Sequence, residues 1–149
     1  LIKRKMKEVG AILAGEMSGH IFIADRYYGF DDAVYACVRL IEMISNGFDP
    51  KNYLESLPKL FNTPEIRIEV DEDLKFKLID ALKDCFKDYE INTTDGVRVN
   101  FGDGWALVRA SNTQPAIILR FEASSQESLE HIQKLVHEQV MKNTDILQK

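Results

Sequence analysis

Residues 109–115 read RASNTQP and stand between two apolar, strand-like runs, WALV at 105–108 and AIILRF at 116–121. Arg109 offers a guanidinium at the end of a strand, suited to gripping phosphate or carboxylate through paired charge-assisted hydrogen bonds. Ser111 and Thr113 add hydroxyls and Asn112 an amide, and the backbone N–H groups of 111–114 are expected to converge on an anion as a nest. None of these groups is a base or a nucleophile, so the chemistry on offer is binding. The same residues also suit an ordinary hairpin loop whose polar side chains satisfy local backbone groups.

A second polar stretch, GEMSGH at 15–20, sets two glycines around Glu16, Ser18 and His20. Glu16 can accept hydrogen bonds from vicinal hydroxyls of the kind a sugar presents, and Ser18 can both donate and accept. His20 brings an imidazole, able to donate and accept, and is a candidate proton carrier or phosphate contact. The competing reading is a glycine-rich helix C-cap with exposed polar side chains.

The elements that must position these loops follow from periodicity. Residues 1–14 carry helical spacing through Ile2, Met6, Val9 and Leu13, and the basic run KRKMK at 3–7 reads as the solvated face of that helix. IFIA at 21–24 suits a buried strand. Asp31 and Asp32 supply the N-cap and first-turn charge of a helix carrying Ala33, Val34, Cys37, Val38, Ile41 and Ile44, closed by Asn46-Gly47. Pro50, Pro58 and Pro64 punctuate a connecting stretch. This places one unit at 1–52, a linker at 53–64 and a second unit at 65–149.

The second unit begins with the alternating strand IRIEV at 66–70. An amphipathic helix over 71–87 follows, with Leu74, Leu78, Leu82 and Phe86 on one face. Val97–Phe101 and Trp105–Arg109 form a hairpin about Gly102-Asp103-Gly104, with Phe101 and Trp105 expected in the core. A strand over 116–123 leads into a last helix, with a capping box in Ser124 and Glu127 and a stripe through Leu129, Ile132, Leu135, Val136 and Val140. The fold class is α/β then α+β, the second unit having a four-stranded antiparallel sheet with two helices on one face.

Composition narrows the function. A net charge of −5 argues against a general nucleic-acid binder, which presents a basic face to phosphates. No apolar run reaches the roughly 18 residues of a membrane span, and no signal peptide is visible, so the cytoplasm is the expected location. Cys37 and Cys85, each within an apolar helical pattern, are expected as buried free thiols. His131 and His137 lack metal-ligand spacing on a helix, and the first-turn acids Asp71 and Asp73 need no cation to explain them. The chain opens at Leu1 within a helical pattern, which leads us to expect further chain upstream.

LIKRKMKEVGAILAGEMSGHIFIADRYYGFDDAVYA resembles the end of the third domain of the α-D-phosphohexomutases, and RASNTQPAIILRFEA resembles the phosphate-binding loop of their fourth. Within that family Met17 and Asn112 look most like the bacterial phosphomannomutase/phosphoglucomutase group; phosphoglucosamine mutases are the nearest alternative, and a non-catalytic sugar-phosphate-binding module is another. The resemblance implies a remnant of an α/β third domain followed by a fourth domain of the TATA-box-binding-protein-like type. It implies an intramolecular phosphotransferase that interconverts hexose 1-phosphate and hexose 6-phosphate. The route passes through a phosphoserine and a hexose 1,6-bisphosphate intermediate, with Mg²⁺ held by an upstream domain.

On this basis Glu16 and Ser18 would read sugar hydroxyls and His20 would lie near phosphate as an auxiliary group. Arg109, Ser111, Asn112 and Thr113 would clamp the non-reacting phosphate, with Arg120 as an electrostatic neighbour. Expected partners are the hexose phosphate and the remaining domains of the enzyme, with no nucleic acid and no membrane. Gln114 departs from the residues common before the loop proline. No serine-histidine phosphorylation motif and no aspartate-rich metal loop occur in these 149 residues, so the nucleophile and metal are expected outside them and the stretch alone is expected to be inactive.

Overall fold

A computed structural model describes residues 1–16 and 18–147; Met17, which contributed to the subgroup reading, lies outside the described residues, as do residues 148–149. The chain divides into two compact units, Leu1–Leu57 and Pro58–Lys149.

In the first unit, α1 (Ile2–Val9) buries Met6 and ends at Gly10, whose φ of 67° permits the left-handed cap. The helical reading of 11–14 is therefore corrected. Ala11 N–H still donates to Met6 O, but Leu13–Gly15 is a strand, β1. It pairs antiparallel with β2 (Ile21–Ile23), Ala14 opposite Phe22. The cause is the cap: once Gly10 turns the chain out of the helix, the 3.6-residue spacing of Leu13 has no helix to act on.

Helix α2 (Ala33–Ser45) is capped by Asp32, whose carboxylate accepts from Tyr35 N–H at 2.9 Å. Asp31 lies outside the helix, bridged to Phe22. Val34, Val38 and Ile41 are exposed, and so is Cys37, contrary to the buried thiol expected; α2 packs chiefly on β2, and its apolar stripe extends beyond what that strand covers. Asp49 and Pro50 start a further short helix, α3 (Pro50–Ser56), through the Asp49 carboxylate accepting from Lys51 and Asn52 N–H.

The second unit is an antiparallel sheet with two helices on one face. Its strands are β3 (Phe61–Asn62), β4 (Ile66–Glu69), β5 (Glu90–Asn92), β6 (Val97–Asn100), β7 (Gly104–Ala110) and β8 (Ala116–Ala123). The order is β3-β8-β7-β6-β5, with β4 also on β8. The four expected strands are β4, β6, β7 and β8; β3 and β5 extend them by two short pieces. β3 and β4 both run along β8, Phe61 opposite Ala123 and Ile66 opposite Leu119. Pro64 interrupts them because it has no N–H for the ladder.

Helix α4 (Glu72–Cys85) brings Leu78, Leu82 and Phe86 onto the sheet, and α5 (Gln126–Leu147) brings Ile132, Val136 and Val140. They meet Val97, Val99, Ala106, Val108, Ile117, Leu119 and Phe121, the alternate residues of the central strands. Cys85, the last residue of α4, is exposed, its sulfur accepting from Asn143 Nδ2, which again overturns burial. The α5 cap is Ser125 rather than Ser124: its hydroxyl accepts from Ser128 N–H at 3.1 Å, while Ser124 N–H donates to Asp103 O.

Phe101 packs at the core edge against Phe86 and Tyr89. Trp105 does not join it. By strand alternation it lies on the opposite face of β7 from Ala106 and Val108, beneath the Arg98 guanidinium at 4.7 Å and donating from Nε1 to Glu122. Among the described residues no helix is long and apolar enough to cross a membrane.

Candidate functional site

GEMSGH joins β1 to β2, so it is a hairpin loop and not a helix cap. Glu16 N–H donates to His20 O at 2.8 Å, and Gly19 N–H to Glu16 O at 3.0 Å. Gly19 takes φ 90°, a conformation open to glycine at little cost. Glu16, Ser18 and His20 are all exposed, and the Ser18 hydroxyl donates to Glu16 Oε2 at 3.1 Å. The loop thus presents a carboxylate, a hydroxyl and an imidazole together.

Asp31 is a partner that the sequence reading assigned to helix capping. Its carboxylate receives His20 Nδ1–H at 2.6 Å. An ionised carboxylate can only accept, so this contact places the proton on Nδ1 and leaves Nε2 as the outward nitrogen. The bridge from Asp31 to Phe22 of β2 fixes the carboxylate one residue before the helix cap. Behind it, Tyr27 stacks on Tyr35 at 3.9 Å and donates to Asp32 at 2.7 Å. That hydroxyl, then the Tyr35 backbone N–H, holds the Asp32 carboxyl below the usual carboxylate range.

In the second unit RASNTQP is the β7–β8 hairpin loop. Arg109 pairs opposite Ile118 in the ladder, on the face away from the helices, so a rigid strand aims its guanidinium. Its side chain is 30% exposed, with Asp95 at 3.9 Å. Ser111 is buried and organises the turn: its N–H donates to Ala116 O, and its hydroxyl oxygen accepts from Thr113 N–H at 3.4 Å and Gln114 N–H at 3.2 Å. The expected four-amide nest is corrected accordingly, because three of its N–H groups are bonded inside the loop. The anion donors that the loop can offer are side chains and the Asn112 amide.

Arg109, Ser111, Asn112 and Thr113 line one cavity of about 340 Å³, joined by Gln114, Ile118, Glu65 and Arg67. Arg67 and Glu65 carried no signal in the sequence, since their partners are 47 and 55 residues away: Arg67 Nη1 donates to Gln114 Oε1 at 2.5 Å, and Arg120 donates to Glu65 at 3.1 Å. Arg120, then Arg67, holds the Glu65 carboxyl below the usual range. Arg120 therefore meets the cavity through Glu65. With two guanidiniums against one carboxylate on its lining, the cavity carries positive charge, and its remaining polar lining is neutral.

Lys75 of α4 was also missed. It is 2% exposed and reaches the back of the loop, donating to Ser111 O at 2.8 Å and Gln114 O at 3.3 Å. A signal was present: with Leu78, Ile79 and Leu82 it occupies the i, i+3, i+4, i+7 core positions of α4, where a lysine needs a partner.

Comparison with known proteins gives two matches in chain order. Residues 1–61 match the phosphoglucomutase/phosphomannomutase alpha/beta/alpha domain III, and residues 65–139 match the phosphoglucomutase/phosphomannomutase C-terminal domain. A Pseudomonas aeruginosa phosphomannomutase/phosphoglucomutase is 50% identical over 143 residues, covering 94% of this chain and 31% of the relative. A phosphoglucomutase of Neisseria meningitidis serogroup A is 45% identical over 150 residues, covering 98% of this chain and 33% of the relative. The X-ray structure of a phosphoglucomutase/phosphomannomutase family protein from Burkholderia thailandensis superposes with a TM-score of 0.82 at 43% identity, covering 96% of this chain and 31% of that one. The chain thus spans about a third of the length of these relatives, and it belongs to the phosphoglucomutase/phosphomannomutase family.

Proposed function

We propose that this chain supplies the sugar-reading and phosphate-gripping parts of a phosphohexomutase that interconverts hexose 1-phosphate and hexose 6-phosphate. The observation that carries the reading is the β7–β8 cavity, where the Arg109 guanidinium on a strand end and that of Arg67 lie with hydroxyls and amides around a space whose one carboxylate, Glu65, is engaged by Arg67 and Arg120. Such a site binds a phosphate and leaves it unchanged.

Glu16 and Ser18 receive sugar hydroxyls in this proposal, and His20, oriented by Asp31, acts as an auxiliary proton carrier or phosphate contact. A substrate whose intermediate carries two phosphates and binds in two orientations requires a clamp indifferent to the carbon bearing the phosphate. Neutral donors beside the Arg109 and Arg67 guanidiniums meet that need. Phosphoryl transfer depends chiefly on positioning and charge neutralisation, so these residues act without forming covalent bonds to substrate.

The described residues bring together no group of three or more His, Cys, Asp or Glu able to hold a metal ion. These residues do not fit Mg²⁺, and no step here is routed through it. The phosphoserine and the metal belong, in this proposal, to other domains of the enzyme. The two units, read from the sequence as 1–52 and 65–149, are in this proposal two domains of that enzyme, with the junction between them falling within 53–64.

The test is Arg109→Ala in the full-length enzyme. Loss of a charged phosphate contact is expected to raise KM and lower kcat/KM by about 1.5–3 kcal/mol. Kinetics equal to wild type overturn the clamp.

A further inference from the structure

Lys75 takes no part in the reaction proposed above, yet it is the one charged side chain in the core of the described residues. Its ammonium has three N–H donors, and three acceptors receive them: Ser111 O at 2.8 Å, Gln114 O at 3.3 Å and the Glu72 carboxylate at 2.6 Å. Burying an ammonium is costly unless every donor is satisfied. Two of the acceptors are backbone carbonyls at the two ends of the loop's turn. Replacing such a group by an apolar one would leave the Ser111 carbonyl unsatisfied, while Gln114 O would keep the Ala116 N–H at 2.8 Å.

The direction of these bonds has a second effect. In a planar trans peptide, C=O and the following N–H point in opposite directions. Drawing the Ser111 carbonyl inward to Lys75 therefore turns the Asn112 N–H the opposite way, away from the ammonium, and Asn112 is among the residues that line the cavity. Thr113 and Gln114 N–H are occupied by the Ser111 hydroxyl. Pro115, which follows the second carbonyl, has no N–H at all.

We infer that Lys75 is a positioning residue for anion recognition: its buried ammonium holds the loop carbonyls away from the bound phosphate, presents the Asn112 N–H to it, and sets a fixed positive charge behind it. This rests on the reading of the β7–β8 loop as a phosphate clamp. The ligand never touches Lys75. The exposed Glu72 carboxylate, whose side chain is 63% exposed, faces solvent and screens the charge only in part.

The experiment uses the full-length protein, glucose 6-phosphate as probe, and NMR observation of the loop amides. In wild type, the Asn112 amide is expected to shift downfield and to exchange more slowly when the probe binds. Lys75→Met is expected to weaken binding about tenfold, the loss of one charged interaction, and to abolish the Asn112 response. A lysine that merely stabilised the fold would leave the Asn112 response of the folded variant intact, and that result overturns the inference.

If Lys75→Met does not fold, the wild-type titration decides. A response at Thr113 and the Arg109 side chain with none at Asn112 overturns the inference and leaves the clamp standing. A loop in which no signal responds removes the clamp reading, and this inference with it.

Discussion

The imidazole Nδ1 of His20 and the carboxylate of Asp31 lie 2.6 Å apart although the two residues stand eleven positions apart in sequence. The β1–β2 hairpin carries the first and the Phe22–Asp31 bridge fixes the second, so the ring is held by backbone pairing on both sides. Asp31→Asn would replace an acceptor by an amide able to donate, and so release Nδ1 from carrying the proton. We expect kcat of the full-length enzyme to fall about 10- to 100-fold, the usual cost of losing the group that orients a functional histidine, with KM little changed. Steady-state kinetics on hexose 1-phosphate give the answer, and an unaltered kcat would show that Asp31 does not orient a working group.

Gly96 bears directly on Arg109. With φ at 77°, a side chain there would be strained, and a Cβ would meet the Val108 carbonyl and lie 2.6 Å from Arg109 Cβ and 2.7 Å from Arg109 Cα. Gly96→Ala must displace β7 where it aims the guanidinium. Left-handed strain and overpacking together suggest a loss of about 2–4 kcal/mol, seen in urea unfolding, with weaker binding of glucose 6-phosphate. Gly102→Ala is the control: φ is 89° but nothing lies within 4 Å of the added Cβ, so about 1–2 kcal/mol of strain is expected. Equal losses for the two would mean that contact with Arg109 is unimportant.

What the sequence disclosed and what it hid divide along physical lines. Leu74, Leu78 and Leu82, or Ile132, Val136 and Val140, are legible because a helical stripe reports its own buried face. The 102–104 turn is legible because glycine chemistry is local. β2 was legible in IFIA, but β1 and its hairpin pairing were hidden, since a three-residue strand holds too little pattern to outweigh the helical spacing of Leu13. Phe61–Asn62 and Glu90–Asn92 join the sheet through distant partners, which no short window contains. Cys37 and Trp105 fail for another reason: periodicity tells which side chains could be buried together, but not whether another element lies over them. Within the candidate site, the loop residues announced themselves by type, whereas Lys75, Glu65, Arg67 and Asp31 act through partners that only the fold brings near.

Glu65 supplies a test by pH. Its carboxylate receives Arg120 Nη2 at 3.1 Å and Arg67 Nη2 at 2.8 Å, and both guanidiniums hold its pKa below the ordinary value. The unfolded chain releases those partners, so Glu65 there titrates near about 4.3. A carboxyl whose folded pKa is depressed contributes stability in full above the unfolded value, and that contribution disappears as pH falls through the folded one. Wild type should therefore exceed Glu65→Gln in urea midpoint by a constant margin from pH 7 down to about pH 5. Below about pH 4.3 the margin should shrink, and it should vanish once the folded carboxyl is protonated. Added salt should reduce it too, because both partners remain partly exposed. A margin that stays constant into acid would mean that Glu65 acts through its shape and neutral hydrogen bonds, and that its charge does not hold Arg67 and Arg120 beside the cavity.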